Sequence, residues 1–202
     1  RIEEFCDLLE ERNYDLNMWC FARVDSVNPE ILQRLKGVGL NWVAYGFESN
    51  DEKIVEATNK RRKADVSNTI RMTRDAGIYI CADVIVGLWE DDRSSVKRTR
   101  DFLVRHEMEW VNIYPGFGYP GTPLYDRYLT SGVIDEPSTW DTYGLYSIEC
   151  NPLPTRYLSS SEVLQLRDEM FSEYYKDPQI LNMLEGKFGY DTRQHVEKMV
   201  EK

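Results

Sequence analysis

Short apolar runs alternate with helical periods along the first two-thirds of the chain. The apolar runs predict strands at 15–23, 41–47, 78–87 and 110–114. Between and around them, apolar residues recur every three or four positions, which predicts helices at 30–36, 51–58, 65–75 and 94–106. Because parallel strands need long crossovers, this alternation predicts an α/β fold with a parallel sheet.

The pattern changes after residue 134. Helical periods at 161–176, 178–187 and 192–201 predict a mostly helical extension, so we divide the chain into units 1–134 and 135–202. The chain also opens inside an amphipathic helix at 1–12, with no capping residue before it. We therefore expect the sequence to be a fragment of a longer protein.

Composition and charge narrow the possible partners and the cellular location. The 202 residues are 42% apolar, and 35 acidic against 25 basic side chains give a net charge of −10, which argues against nucleic acid as a partner. The longest apolar stretch, at 79–89, is too short for the roughly 20 residues of a membrane span. Four scattered cysteines without a CxxC pair, together with no signal peptide, predict a cytoplasmic protein.

Polar side chains stand at or near the carboxyl ends of the predicted strands. They are Arg23, Glu48, Ser49, Asp83, Asn112 and Tyr114. Ligands bind at this end of parallel sheets, and side-chain alternation predicts that Arg23, Glu48 and Asp83 share one inner face. Buried charges need partners, so these three residues predict either a site for a polar small molecule or a structural ion network. The residue pattern leaves both open.

Other catalytic signatures are missing from the sequence. It contains no GxSxG, HExxH or P-loop pattern and no clustered metal ligands, so we assign no catalytic nucleophile and no metal site. His106 and His195 fall on predicted helices away from the strand ends, which is typical of surface histidines. The basic run at 60–63 is interpreted as a solvated helix entrance, which is usual for such runs, with a phosphate or partner contact as the alternative.

Five stretches in order carry a resemblance to a known family. They are FARVD at 21–25, YGFES at 45–49, ATNK at 57–60, DAGIYICADVIVGLWED at 75–91 and NIYPGFGYPGTPLYD at 112–126. In this order and at these places in the βα alternation, they resemble the radical S-adenosylmethionine (radical SAM) superfamily. More closely, they resemble its cobalamin-binding-domain-associated branch.

The resemblance implies a fold and a set of cofactors. The family fold is a partial (β/α)6 barrel, in which a CxxxCxxC motif after the first strand holds a [4Fe–4S] cluster that binds SAM. This sequence lacks that motif, and its predicted strands correspond to the third to sixth. We therefore expect this fragment to bind neither cluster nor SAM well and to be inactive alone.

For the parent protein, the resemblance implies reductive cleavage of SAM to a 5′-deoxyadenosyl radical. The resemblance also implies an electron donor such as flavodoxin or ferredoxin, and cobalamin as a further cofactor. Methyl transfer is the leading reaction. Two alternatives are part of an ordinary (β/α)8 barrel lyase or hydrolase and a non-catalytic binding domain. A CxxxCxxC motif in the upstream coding sequence would decide between the leading interpretation and the binding domain.

Roles carried over from the family fall on the strand ends. Arg23 matches a position near the SAM carboxylate or ribose, and Glu48 and Ser49 match the segment near the ribose and methionine moieties. Asn112 and Tyr114 lie on the family's sixth strand.

The third predicted strand carries the rest of the resemblance. Asp83, Ile85, Gly87 and Glu90 align with the family pattern GxIxGxxE, in which the apolar residue packs on adenine. Asp83 stands where the pattern has its first glycine. The loop at 119–123 is expected to cover the substrate side.

Overall fold

A single parallel sheet forms the centre of the molecule. The computed structural model describes residues 1–57, 65–136, 139–145 and 147–201, so the ATNK stretch beyond Ala57 and the basic run lie outside the described residues. The strands are β1 (Met18–Ala22), β2 (Leu40–Glu48), β3 (Tyr79–Val86) and β4 (Trp110–Pro115), paired in the order β1-β2-β3-β4. All three pairings are parallel, so the predicted α/β architecture is confirmed.

Helix α1 precedes β1, further helices follow each strand, and α7 to α9 form the end of the chain. Their bounds are α1 (Ile2–Arg12), α2 (Pro29–Gly37), α3 (Glu52–Ala57), α4 (Val66–Asp75), α5 (Arg93–Arg105), α6 (Pro123–Thr130), α7 (Ser160–Lys176), α8 (Pro178–Phe188) and α9 (Tyr190–Val200). Within the described part of the chain, every helix is too short or too polar to cross a membrane.

Local signals in the sequence account for several helix starts. Asn28 accepts a hydrogen bond from the Ile31 amide, and Ser159 caps α7 in a reciprocal arrangement with Glu162. The eight-residue helix α6 is not predicted by the hydrophobic pattern. It begins at a Thr122 cap followed by Pro123, a combination that favours a helix start even in a short segment.

The hydrophobic core lies between one face of the sheet and the helices. Alternate residues of β2 and β3 point into it, namely Val43, Tyr45, Phe47, Ile80, Ala82 and Val84. Val163 and Met170 of α7 and Ile180 of α8 belong to the same cluster. The helical tail therefore packs on the sheet and shares its core.

A buried carboxylate ties two helices to the start of β4. Glu109 is 1% exposed; Arg74 Nε of α4 donates to it at 3.1 Å, and Lys187 of α8 forms an ion pair with it. The Ile80 amide also donates to Glu109, at 3.1 Å. A buried charge is tolerated when it is paired and hydrogen-bonded in this way.

The outer edge of β4 is covered by a tyrosine of α7. The Tyr175 hydroxyl accepts a hydrogen bond from the Val111 amide at 2.9 Å and donates to the Val111 carbonyl at 3.1 Å. The Val111 amide and carbonyl point away from β3, toward the outer edge of β4. A further strand could otherwise pair at this edge. The hydroxyl thus satisfies an edge that would be open to another chain.

Replacing Tyr175 tests this edge. Tyr175→Phe should lower the free energy of unfolding by about 1–3 kcal/mol, because two buried backbone groups lose their partner. Urea unfolding of Tyr175→Phe and of the control Tyr14→Phe, an exposed tyrosine, measures the effect. Equal stabilities of the two variants would contradict the role given to the hydroxyl.

Candidate functional site

Polar side chains line up across the inner face of the sheet, opposite the helix-packed core. Parallel pairing places Gly46 beside Asp83 and Asp83 beside Asn112. Asn112 Nδ2 donates to Asp83 Oδ1 at 2.9 Å, and Trp110 Nε1 donates to Asn112 Oδ1 at 3.0 Å. These bonds hold the Asp83 carboxylate at a defined place on the open face.

Glu48 reaches this face through an irregular end of β2. The register with β3 shifts between Gly46 and Glu48, and Glu48 has a φ of 60°, a left-handed conformation that costs free energy for a residue with a side chain. A Cβ at Gly46 would lie 3.2 Å from Glu48 Oε1, so the glycine leaves room for the carboxylate. Glu48 is only 8% exposed. The fold holds a carboxylate here at a conformational cost.

Burial and charge act on the groups beside Glu48. Burial raises the pKa of Asp83, hydrogen bonds from Asn112 and Cys81 lower it, and the nearby Glu48 charge raises it. Burial, and then the charge of Asp83, raises the pKa of Cys81 to about 12, which keeps the thiol neutral. Two carboxylates on neighbouring strands provide acceptors for hydroxyl or ammonium groups of a ligand.

Arg23 lies at the rim of the same site. It lines a cavity of about 420 Å³ together with Glu48 and Asp83. Its guanidinium forms a two-pronged ion pair with Asp25, at 2.9 and 2.8 Å, and its side chain is 66% exposed. The structure brings the three predicted charges to one cavity, with Arg23 oriented by Asp25.

Ser49 is placed differently from its neighbour. Its buried hydroxyl lies 3.3 Å from Thr99 Oγ1 of α5 and accepts a hydrogen bond from the Asp51 amide at 3.1 Å. These contacts join the β2–α3 loop to α5. Ser49 thus anchors the loop that follows Glu48, and its hydroxyl is directed to a helix.

A buried aspartate organises the loop between β3 and α5. Asp91 is 2% exposed; one of its oxygens accepts from the Gly87 and Leu88 amides at 3.0 Å each, and the other accepts from Ser95 Oγ at 2.7 Å. Gly87 has a φ of 101°, and a Cβ there would lie 2.6 Å from Val163 of α7. Only glycine fits this approach between the loop and the helical tail.

The residue matched to the acidic position of the family pattern is the neighbouring Glu90, whose carboxylate lies 3.7 Å from Arg156 at the rim. The buried carboxylate that holds the loop is Asp91. One feature of the sequence points to Asp91 as this carboxylate: it precedes the helix cap Asp92 and lies one turn before Ser95.

The remaining predicted residues line two further cavities. Ile85 and Gly87 border a cavity of about 660 Å³ at the carboxyl ends of β3 and β4. Asn112 and Tyr114 border one of about 450 Å³ between β4 and α7. Ile85 and Tyr114 are register neighbours, and they lie two residues beyond the pair Asp83 and Asn112. Both cavities therefore adjoin the central line of polar groups.

The four cysteines are the residues of this chain that could bind an iron–sulfur cluster. Cys6, Cys20, Cys81 and Cys150 are separate free thiols on different parts of the fold. Within the ranges that the structure describes, no three His, Cys, Asp or Glu side chains are grouped to hold a metal ion. The residues described here therefore do not fit a [4Fe–4S] cluster.

Comparison with known families agrees with the fold and the strand-end motifs. The sequence profile of the radical SAM superfamily matches residues 2–103, just over half of the chain. The chain belongs to the radical SAM superfamily. The matched region contains β1 to β3 and therefore Arg23, Glu48, Asp83 and Gly87.

Curated relatives of this radical SAM chain include proteins named as transferases. A putative methylthiotransferase of Methanocaldococcus jannaschii is 31% identical over 112 residues, 54% of this chain and 24% of that protein. The bacteriochlorophyllide d C-12(1)-methyltransferase of Chlorobaculum tepidum is 25% identical over 161 residues, 79% of this chain and 34% of that protein. The chain thus spans about a quarter to a third of these relatives.

A solved structure shares the fold over nearly the whole chain. The radical SAM methyltransferase TsrM of Kitasatospora setae, determined with cobalamin and a [4Fe–4S] cluster bound, matches with a TM-score of 0.66 and 14% identity. The match covers 99% of this chain and 48% of TsrM. At this identity it shows the fold, and it includes the helical tail as well as the sheet.

The offset between Glu90 and Asp91 gives a direct test. Asp91→Ala should lower the free energy of unfolding by about 3 kcal/mol, because buried amides lose their acceptor. Glu90 is half-buried and pairs only with the exposed Arg156, so Glu90→Ala should change it by less than about 0.5 kcal/mol. Urea unfolding of both variants measures the difference. A larger loss for Glu90→Ala than for Asp91→Ala would contradict the structural role given to Asp91.

Proposed function

We propose that this chain is the C-terminal part of the catalytic domain of a radical SAM enzyme. Residues 1–134 would form the later strands of the partial barrel and 135–202 its helical extension. The observation that carries the proposal is the cavity containing Arg23, Glu48 and Asp83 at the carboxyl ends of parallel strands, in a chain of this superfamily. Active sites of parallel α/β folds lie at this edge.

The donor set of this cavity fits SAM. The Glu48 carboxylate would accept hydrogen bonds from ribose hydroxyls or the ammonium group, and Arg23, already oriented by Asp25, would bind a carboxylate. Ile85 would pack on adenine in the adjoining cavity of about 660 Å³, which Gly87 also borders. The chain's contribution is to hold the cofactor in one orientation and to exclude water.

SAM, when bound and reduced by one electron, supplies a 5′-deoxyadenosyl radical in this superfamily. We assign the ligands of the [4Fe–4S] cluster to a part of the parent outside this chain. An electron donor such as flavodoxin or ferredoxin, and a cytoplasmic location, complete the proposal. The net charge of −10 argues against nucleic acid as the substrate.

The branch and the reaction are also proposals. Relatives named as methyltransferases and the likeness to a cobalamin-containing methyltransferase support cobalamin as a further cofactor and methyl transfer as the reaction. The superfamily match argues against the alternative of an ordinary (β/α)8 barrel lyase or hydrolase. A non-catalytic binding domain remains the second candidate, and an upstream CxxxCxxC motif distinguishes the two.

The test uses the parent protein, extended upstream to its cysteine motif and reconstituted with iron and sulfide without oxygen. Glu48→Gln should weaken SAM binding about 10- to 100-fold, the loss expected when hydrogen bonds to a charged acceptor are removed. Equilibrium dialysis with SAM measures the affinity, and the iron content should equal that of the unaltered protein.

The matched control is Glu11→Gln, an exposed glutamate on α1, which should leave SAM affinity unchanged. An extended protein that takes up no iron would overturn the enzyme assignment. A Glu48→Gln protein that retains full SAM affinity would overturn the site assignment alone.

A further inference from the structure

Three aromatic side chains form an exposed patch in the loops between β4 and α7. Trp140 is 74% exposed and Tyr119 is 49% exposed. The ring of Tyr143 joins them, with its centroid 5.9 Å from that of Trp140 and 5.6 Å from that of Tyr119. Isolated apolar side chains are common on protein surfaces, whereas contiguous exposed patches mark interaction sites.

Hydrogen bonds fix the loop that displays this patch. The Gly144 amide donates to the Asp141 carbonyl at 3.0 Å, at the end of the short 3₁₀ helix Trp140–Tyr143. The Leu153 amide donates to the Gly116 carbonyl at 2.9 Å, just after the end of β4. Because the loop is already ordered, binding a partner there costs less conformational entropy than ordering a flexible segment.

Carboxylates without a cation partner lie beside the rings. Residues 128–155 contain four acidic side chains and no lysine, arginine or histidine. Asp135 and Glu136 line a cavity of about 340 Å³ together with Tyr143. Asp141 follows Trp140 in the 3₁₀ helix. These three carboxylates are exposed, and none has a basic nitrogen within 4.0 Å in the part of the chain that the structure describes.

We propose that this surface binds an arginine-rich segment of a partner protein. The acidic aromatic surface, as we call it, consists of Tyr119, Trp140, Tyr143, Asp135, Glu136 and Asp141. A guanidinium stacks on an aromatic ring and donates paired hydrogen bonds to a carboxylate, whereas a lysine ammonium lacks this planar fork. The exposed rings and the unneutralised charge thus favour the same side chain. None of these residues is assigned to SAM, so the inference is independent of the proposed function.

Two peptides of equal charge separate stacking from charge. The probes are fluorescein-labelled (Gly-Arg)6 and (Gly-Lys)6, and fluorescence anisotropy measures their affinities for the chain. The arginine peptide should bind about two- to fivefold more tightly, the range expected for stacking at an exposed site. Trp140→Ala should abolish this preference, whereas Tyr14→Ala, at an exposed tyrosine on another part of the chain, should preserve it.

Two triple variants, which lose the same amount of charge, test the carboxylates. One neutralises the acidic aromatic surface with Asp135→Asn, Glu136→Gln and Asp141→Asn. The other neutralises exposed carboxylates in and after α1 with Glu4→Gln, Glu11→Gln and Asp15→Asn. The first should weaken binding of the arginine peptide about five- to tenfold, and the second should weaken it less than about twofold. Circular dichroism checks that each variant is folded.

The proposal is overturned if the unaltered chain shows no preference for the arginine peptide, if the preference survives Trp140→Ala, or if the two triple variants weaken binding equally. Two other occupants would also overturn it. A dimer in sedimentation equilibrium that the first triple variant dissociates would assign the surface to a second copy of this chain. A parent protein, extended upstream, that no longer binds the arginine peptide would assign the surface to the parent's own residues.

Discussion

The in-register parallel pairing of β2, β3 and β4 is the constraint on which the site depends. It places Gly46, Asp83 and Asn112 in one line across the sheet. Because side chains alternate, the same pairing sends Tyr45 and Val84 to the helix-packed core. A slip of one residue would exchange the two faces, burying the polar line and exposing the core.

The helical tail completes the site as well as the fold. Tyr175 covers the open edge of β4, and Val163 packs against Gly87 so closely that no side chain fits there. Thr155 donates to the Asp91 carbonyl at 2.8 Å, which fixes the loop from the other side. The wall of the site is therefore built from segments more than sixty residues apart, and the sheet alone would leave the β3–α5 loop unsupported.

Residue pattern predicted the features that depend on local periodicity. The apolar runs correctly predicted the four strands. Arg23, Glu48 and Asp83, which alternation predicted to share one face, line one cavity. The rest depended on contacts that periodicity does not encode. The irregular end of β2, the choice of Asp91 over Glu90 and the edge contact of Tyr175 each result from tertiary packing or a single strained backbone angle.

The central claim is that the inner-face carboxylates serve a ligand, and the free energy of unfolding of Asp83→Asn tests it most directly. Burial raises the pKa of Asp83 in the folded state. Ionisation of Asp83 therefore lowers the free energy of unfolding as the pH rises above the unfolded-state pKa, and this loss is complete above the folded-state pKa. The amide avoids this loss and can still accept from Asn112. We therefore predict that Asp83→Asn is at least as stable as the unaltered chain at pH 7, with the difference vanishing below about pH 3.9. A clear loss of stability at pH 7 would instead show that the Asp83 carboxylate stabilises the fold, and would contradict the account.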